Sequence, residues 1–359
     1  EETVVDKAQV QLEEWKTCSP KEIAEHITLE LSELYRIDAN VLLSDELESY
    51  KVKNVNLTRH VYSDVENVLE QWVMYCGKTQ ASDIQITDVE QFLETGKSMQ
   101  AAMVYFAEEG TSYANVNSIS ALMYSPFMET YDAWRLDGIY DRQVLGRANY
   151  ELARRPAEET ILSETQILDV KKEMESIFGV KFLEDYELYS YTLERLEEIL
   201  AWEKNYVETV GSIHEDIRWN ISEADEGAIL SFRQGYEGIP ILHDEPDLKE
   251  TGGVWLVENY CILTFSRDGI EGLEFSNPYD VKGEAESVEI LSFGEFIEKH
   301  MESRAALDTT VVHVGLYYLP IYSGEGLDFT TKPVWYVQTE AEQADGYVLR
   351  DSTLYDAVT

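Results

Sequence analysis

The runs VVHVGLYYLPIY (Val311–Tyr322), KPVWYVQTE (Lys332–Glu340), DGYVL (Asp345–Leu349) and STLYDAVT (Ser352–Thr359) close the chain. They are dense in β-branched and aromatic residues and are separated by short polar or glycine-bearing stretches, which predicts successive antiparallel strands. Trp255, Tyr317, Tyr318, Trp335 and Tyr336 fall along such strands. On an inward face they are core; on an outward face they would line a groove for a peptide or a glycan.

Working back from that end, Ser292-Phe-Gly-Glu295 has the spacing of a capping box, and Phe296, Ile297, His300 and Met301 give the helix it opens an inward stripe. Upstream, GVWLVENYCILTFS (Gly253–Ser266) carries large apolar residues on both faces, as a covered central strand does. Asp268-Gly269 turns it into IEGLEFS, and GAILSFRQGYEGIPIL (Gly227–Leu242) reads as a strand that bulges at its glycines.

In the first half, Ser19-Pro20 with Glu22 predicts a helix carrying Ile23, Ile27, Leu31 and Leu34, with His26 on it. ANVLL (Ala39–Leu43) and KVKNVNL (Lys51–Leu57) read as strands. Ser63 with Glu66 predicts a helix striped by Val65, Val68, Leu69, Trp72, Val73 and Cys76 and stopped at Gly77. Thr87 with Glu90 predicts a shorter helix. Met99–Tyr124 reads as a hairpin, and Asp137-Gly138 marks another turn. Ser163 with Gln166 opens a helix striped by Ile167, Val170, Met174, Ile177 and Phe178 and ended by Gly179. YELYSYT (Tyr186–Thr192) follows as a strand, and Leu193, Leu196, Ile199 and Leu200 mark one more helix.

Blocks of helices alternate with blocks of hairpins, and no strict strand–helix–strand alternation runs through the chain. The expected class is α+β, antiparallel sheets with helices packed on one face. At roughly 150 residues per domain, 359 residues suggest two domains. The polar stretch around Arg154–Glu159, with Pro156, places the boundary at 1–155 and 156–359.

Charge excludes partners. Asp and Glu number 70 against 28 Lys and Arg, a formal net charge of −42. That field repels phosphate backbones and anionic lipid surfaces, so nucleic acid is excluded. The basic cluster Arg147, Arg154 and Arg155 is expected to serve as an internal ion-pair partner for nearby carboxylates. No apolar run reaches the ~18 residues a spanning helix needs. Residue 1 is Glu and not Met, which points to a processed or trimmed chain. Cys18, Cys76 and Cys261 are far apart, with no CxxC. Buried thiols are the ordinary reading, and if one bridge forms, Cys18–Cys76 is the expected pair.

The motifs HExxH, GxSxG, GxxxxGK[ST] and a helix-opening GxGxxG are absent, so no catalytic residue and no cofactor is assigned. His243, Asp244, Glu245 and Asp247 form the densest candidate metal-ligating run. Carboxylate oxygens suit calcium, but the EF-hand spacing is not met, and a solvated acidic loop is the ordinary reading. His214-Glu-Asp216 is a weaker case of the same kind.

A resemblance joins these readings. The capped helix Ser292–Met301, the strand Val311–Tyr322, Pro333-Val-Trp-Tyr-Val337 and the terminus Asp356–Thr359 resemble the PepSY-like and YycI-like extracytoplasmic modules of Gram-positive bacteria. With the hairpins of residues 227–242 and 268–279, the chain is similar to large uncharacterised lipoproteins of gut Firmicutes. The glycine expected after Thr359 is missing, and the spacing from Trp335 to the terminal strand is long. The resemblance implies a surface-anchored binding or regulatory protein that acts on a protein, peptide or glycan, and brings no catalytic residue. The alternative is a carboxylate-dependent hydrolase of glycans or peptides.

Overall fold

The structure, a computed structural model, describes residues 4–30, 35–77, 84–89, 99–105, 113–117, 119–124, 160–198, 201, 222–242, 259–304, 309–323, 326–342 and 348–359. The class is α+β, with helices packed on sheets that are antiparallel but for one parallel pair. Contacts group the chain into two compact units, each drawn from both sides of residue 155. Unit 1 is Glu1–Thr58, Gly235–Glu258 and Val281–Thr359; unit 2 is Arg59–Gln234 and Asn259–Asp280. The boundary expected near residue 155, the basic cluster and the Asp137-Gly138 turn lie outside the described residues.

Unit 1 is built on a sheet containing β1 (His26–Glu30), β2 (Tyr35–Leu42), β3 (Lys51–Arg59), β14 (Tyr279–Glu289), β15 (Thr309–Tyr322), β16 (Asp328–Glu342) and β17 (Val348–Asp356). The order is β1-β2-β15-β16-β3-β14, with β17 also on β16. The sheet is mixed, because β2 runs parallel to β15; the terminal strands are antiparallel as expected, but the runs Asp345–Leu349 and Ser352–Thr359 contribute to one strand, β17, and not to two.

Pro333 sits inside β16, where a missing N–H would normally break a ladder. Its carbonyl accepts from Ala357 N at 3.2 Å. In an extended strand N–H and C=O of one residue point the same way. The absent donor therefore faces the gap where β16 exchanges β3, last paired at Thr330–Asn56, for β17, first paired at Val334–Asp356.

The helical layer of unit 1 is α1 (Val4–Thr17) and α4 (Phe293–Arg304). Ser292 and Glu295 cap α4 reciprocally, as the sequence predicts. Phe293, Phe296, Ile297 and His300 are wholly buried. Phe296 stacks on Trp335, with centroids 4.8 Å apart and planes 10° apart, and Trp15 of α1 meets Phe293 edge-on at 5.4 Å. The two helices touch backbone to backbone at Gly294, where a Cβ would lie 2.4 Å from Lys16 N and 2.7 Å from Leu12 O.

Unit 2 is an eight-stranded antiparallel sheet in the order β4 (Gln85–Val89), β5 (Met99–Tyr105), β6 (Tyr113–Asn117), β7 (Ser120–Tyr124), β13 (Gly269–Ser276), β12 (Tyr260–Ser266), β9 (Gly227–Phe232), β8 (Tyr186–Tyr191). β12 is central, as its two apolar faces predict. α2 (Val65–Tyr75) and α3 (Glu164–Phe178) pack on this sheet through Leu69, Trp72, Val73, Met174 and Phe178, which join Phe232, Leu263 and Phe275 in one core. Gly179 ends α3 in the left-handed conformation, φ 66°.

Three local expectations fail. The Ser19–Glu22 capping box forms but closes a single 3-10 turn, Pro20–Glu22, and the chain then enters β1, where Ile27 pairs with Ala39. His26 is therefore on a strand, bonded to Asp38 and Asn40. Thr87 lies in β4, not at a helix start. The cap of α2 is Asp64 rather than Ser63, accepting from Asn67 N at 3.1 Å.

The contact at Gly294 gives a direct test. Gly294→Ala must push α1 from α4 and should cost about 1–3 kcal/mol in urea unfolding. Gly283→Ala, where a Cβ would meet nothing within 4 Å, should stay within about 0.5 kcal/mol. Equal stabilities for the two variants would refute the backbone contact.

Candidate functional site

A cleft of about 970 Å³ lies wholly within unit 2, a size in the range of small-molecule sites. Its walls come from four places. The C-terminal end of α2 gives Tyr75, Cys76 and Gly77; the start of α3 gives Ile161, Leu162, Gln166, Asp169 and Val170; the exit of β8 gives Thr192 and Glu194; the β12–β13 turn gives Phe265 to Ile270, beside Glu226.

Local sequence chemistry sets each wall. Ser163 Oγ accepts from Gln166 N at 3.3 Å while Gln166 Oε1 accepts from Ser163 N at 2.9 Å, so the capping box that starts α3 also brings Gln166 to the cleft. Gly269 has φ 132°, which the tight Arg267-Asp268 turn needs, and Asp268 N donates to Ser266 Oγ at 3.1 Å.

Glu226 ties the walls together. It is buried, 7% exposed. One carboxylate oxygen accepts from Leu193 N at 2.8 Å; the other accepts from Arg267 Nε at 2.6 Å and also from Arg267 Nη2. A buried carboxylate so engaged joins the β8 exit to the β12–β13 turn and is a framework group, not a free base.

The remaining acids on the cleft, Asp169, Glu194 and Asp268, are exposed and have no ion-pair partner among the described residues. Burial, with Glu173, Cys76 and Asp169 adding, pushes the Tyr75 phenol up to about 12. Tyr75 therefore stays a neutral donor at ordinary pH. Ile161, Leu162, Val170, Phe265 and Ile270 supply apolar surface. The arrangement suits a ligand with an apolar body and a cationic end.

His243, Asp244, Glu245, Asp247, His214 and Trp255 lie outside the described residues. Among the described residues no group of three or more His, Cys, Asp or Glu is placed to hold a metal, and no helix is long and apolar enough to cross a membrane. Tyr317, Tyr318, Trp335 and Tyr336 are all buried, so they are core and not a groove. The expected Cys18–Cys76 bridge is not formed. Sequence reasoning missed Asp169, Glu194, Glu226 and Arg267. Its pointers to this place were the Gly77 helix stop, the Ser163 cap and the Asp268-Gly269 turn.

No protein-family model matches the chain, and no curated protein matches it. Among solved structures, an uncharacterised protein from Eubacterium rectale ATCC 33656 superposes with a TM-score of 0.72 at 16% identity, over 99% of this chain and 98% of that one. The two chains share a fold. YycH from Bacillus subtilis aligns over 84% of this chain and 96% of its own at 12% identity, with a TM-score of 0.22, too low to carry an argument.

Thiol reactivity tests the placement of the cleft. Burial pushes the Cys261 thiol far up, leaving little thiolate, whereas Cys76 opens on the cleft. At about pH 8 a thiol reagent should label Cys76 in the native protein and Cys261 only after unfolding. Equal native rates, followed by peptide mass mapping, would contradict the structure.

Proposed function

We propose that the protein is a non-enzymatic extracytoplasmic binding or regulatory protein, surface-anchored in its native form, and that the unit 2 cleft receives its ligand. The observation that carries this reading is the pairing of apolar walls with three carboxylates, unpaired among the described residues, around a cleft framed by the Glu226–Arg267 pair. A desolvated cation gains most where such charges stand beside low-dielectric walls. The sequence resemblance of Ser292–Thr359 to extracytoplasmic modules supports the compartment, and the Eubacterium rectale fold match agrees with the gut Firmicute setting.

Spermidine and a series of lysine-containing tripeptides are suitable probes. The expected result is a raised melting temperature and slower Cys76 alkylation over one concentration range. The joint variant Asp169→Asn, Glu194→Gln, Asp268→Asn should weaken the effect about tenfold, roughly 1.4 kcal/mol. Mass spectrometry should recover the probe unchanged. Cleavage of a tripeptide would transfer the chain to the hydrolase reading, and no effect from any cationic probe would remove the cleft from consideration.

The compartment is tested separately by fractionating native cells and measuring the intact mass of the mature protein. Recovery with the membrane fraction and a lipid adduct is expected. A cytosolic, unmodified protein would overturn the anchoring.

A further inference from the structure

Strand β14 ends the unit 1 sheet. It pairs with β3 on one side; on the other the chain's end reaches only its last residue, where Thr359 N donates to Glu289 O at 3.3 Å, and no strand among the described residues takes Val281–Val288. Ile290 N donates to Tyr50 O at 2.9 Å just past its end, so β3 lies alongside it in antiparallel sense. The strand at the opposite end, β1, has five residues and buries Ile27; β14 has eleven, and from Val281 to Glu289 every side chain is exposed or half-exposed. A long edge open on both faces is a template for a further strand.

The alternation of a strand sorts these residues. Lys282, Glu284 and Glu286 share one face; Val281, Gly283, Ala285 and Ser287 share the other. On the first face Lys282 is held by Asp328 at 2.6 Å, and Glu284 by Lys53 at 2.9 Å and by the Tyr236 hydroxyl. Glu286, and Glu289 at the end of the other face, have no ion-pair partner among the described residues. The second face is small-sided and empty: a Cβ on Gly283 would meet nothing within 4 Å, and Val281 is 45% exposed.

We propose that the free edge of β14, over Val281–Ser287, docks an extended segment of a partner protein that alternates Lys or Arg with large apolar residues. The cations would face Glu284 and Glu286, and the apolar side chains would cover the shelf of Gly283, Ala285 and Ser287. Cross-strand pairs of opposite charge and of complementary size are the stabilising ones. The same acids reject a second copy of this chain, whose net charge is −42, so they decide which strand is admitted. This surface is independent of the unit 2 cleft.

The test is fluorescence anisotropy at ~0.15 M salt with a labelled alternating Lys-Val peptide, against a Glu-Val peptide and a Lys-Val peptide interrupted by proline. The intact Lys-Val peptide alone should bind, and amide exchange should slow across 281–287. Glu286→Lys, exposed and harmless to folding, should weaken binding about tenfold or more. Ala285→Pro, checked for a native melt, should weaken it by removing an edge donor. Equal binding of the proline-interrupted peptide would show diffuse charge attraction instead. Protection elsewhere, or a concentration-dependent dimer lost in the charge variant, would likewise overturn the proposal.

Discussion

Unit 2 begins and ends, twice, on one buried hydrogen-bond network. Its segments are Arg59–Gln234 and Asn259–Asp280, and Arg59, Gln234 and Asn259 are each less than 5% exposed. The Gln234 amide pairs with the Tyr279 backbone in both directions, accepting from its N–H at 2.8 Å and donating to its carbonyl at 3.0 Å. Asn259 Nδ2 donates to Gln234 Oε1 and to Asn277 O, and Arg59 donates to the same Asn277 carbonyl at 2.6 Å. One side chain thus does what a strand partner does, at the place where the chain leaves the sheet. Losing it would strand at least two buried donors, at about 1–3 kcal/mol each.

Arg59 makes that network costly as well as specific. Its guanidinium lies 4.3 Å over the Tyr279 ring. Burial pulls its pKa down while Tyr279 holds it up. A buried cation is tolerated only where its hydrogen bonds are met and a polarisable face is near. The network anchors both ends of the segment carrying β12, the Arg267-Asp268 turn and β13. The cleft wall that Glu226 grips through Arg267 is therefore fixed at its base by one polar cluster and at its tip by another. Both clusters join residues distant in sequence.

That distance explains what could be read beforehand. Signals that act within one turn were legible: the Ser163 and Ser292 caps, the stripe from Ile167 to Phe178, the left-handed Gly179 and the Asp268-Gly269 turn all formed as the residues dictate. The terminal strands were legible because Val, Tyr and Trp on both faces leave no other way to bury them. The Ser19–Glu22 box shows the limit. The local hydrogen bonds formed, yet pairing of Ile27 with Ala39 drew the next residues into a strand, since tertiary burial outweighs a cap worth about 1 kcal/mol. The converse error is α1, where Ala8, Leu12 and Trp15 repeat at helical spacing without a capping signal to announce them. The cleft was hidden for a different reason. With 70 acids in the chain, no carboxylate stands out until the fold shows which are gripped and which are left.

The distinction between gripped and left acids orders the charge of the molecule. Lys16, Lys53, Lys171, Lys282, Lys332, Arg233 and Arg267 each meet a carboxylate, and Lys16, Lys53 and Lys171 meet two. The exposed pairs among these add little stability singly; together the pairs leave uncompensated acids in particular places. Around the cleft those acids stand beside apolar walls, where a compact cation loses water and gains field. Along β14 they stand on an open strand, where a row of backbone groups supplies the register. Under the two proposals one excess of charge would serve two recognition geometries, and shape, not charge, would separate a small cationic ligand from an extended cationic chain.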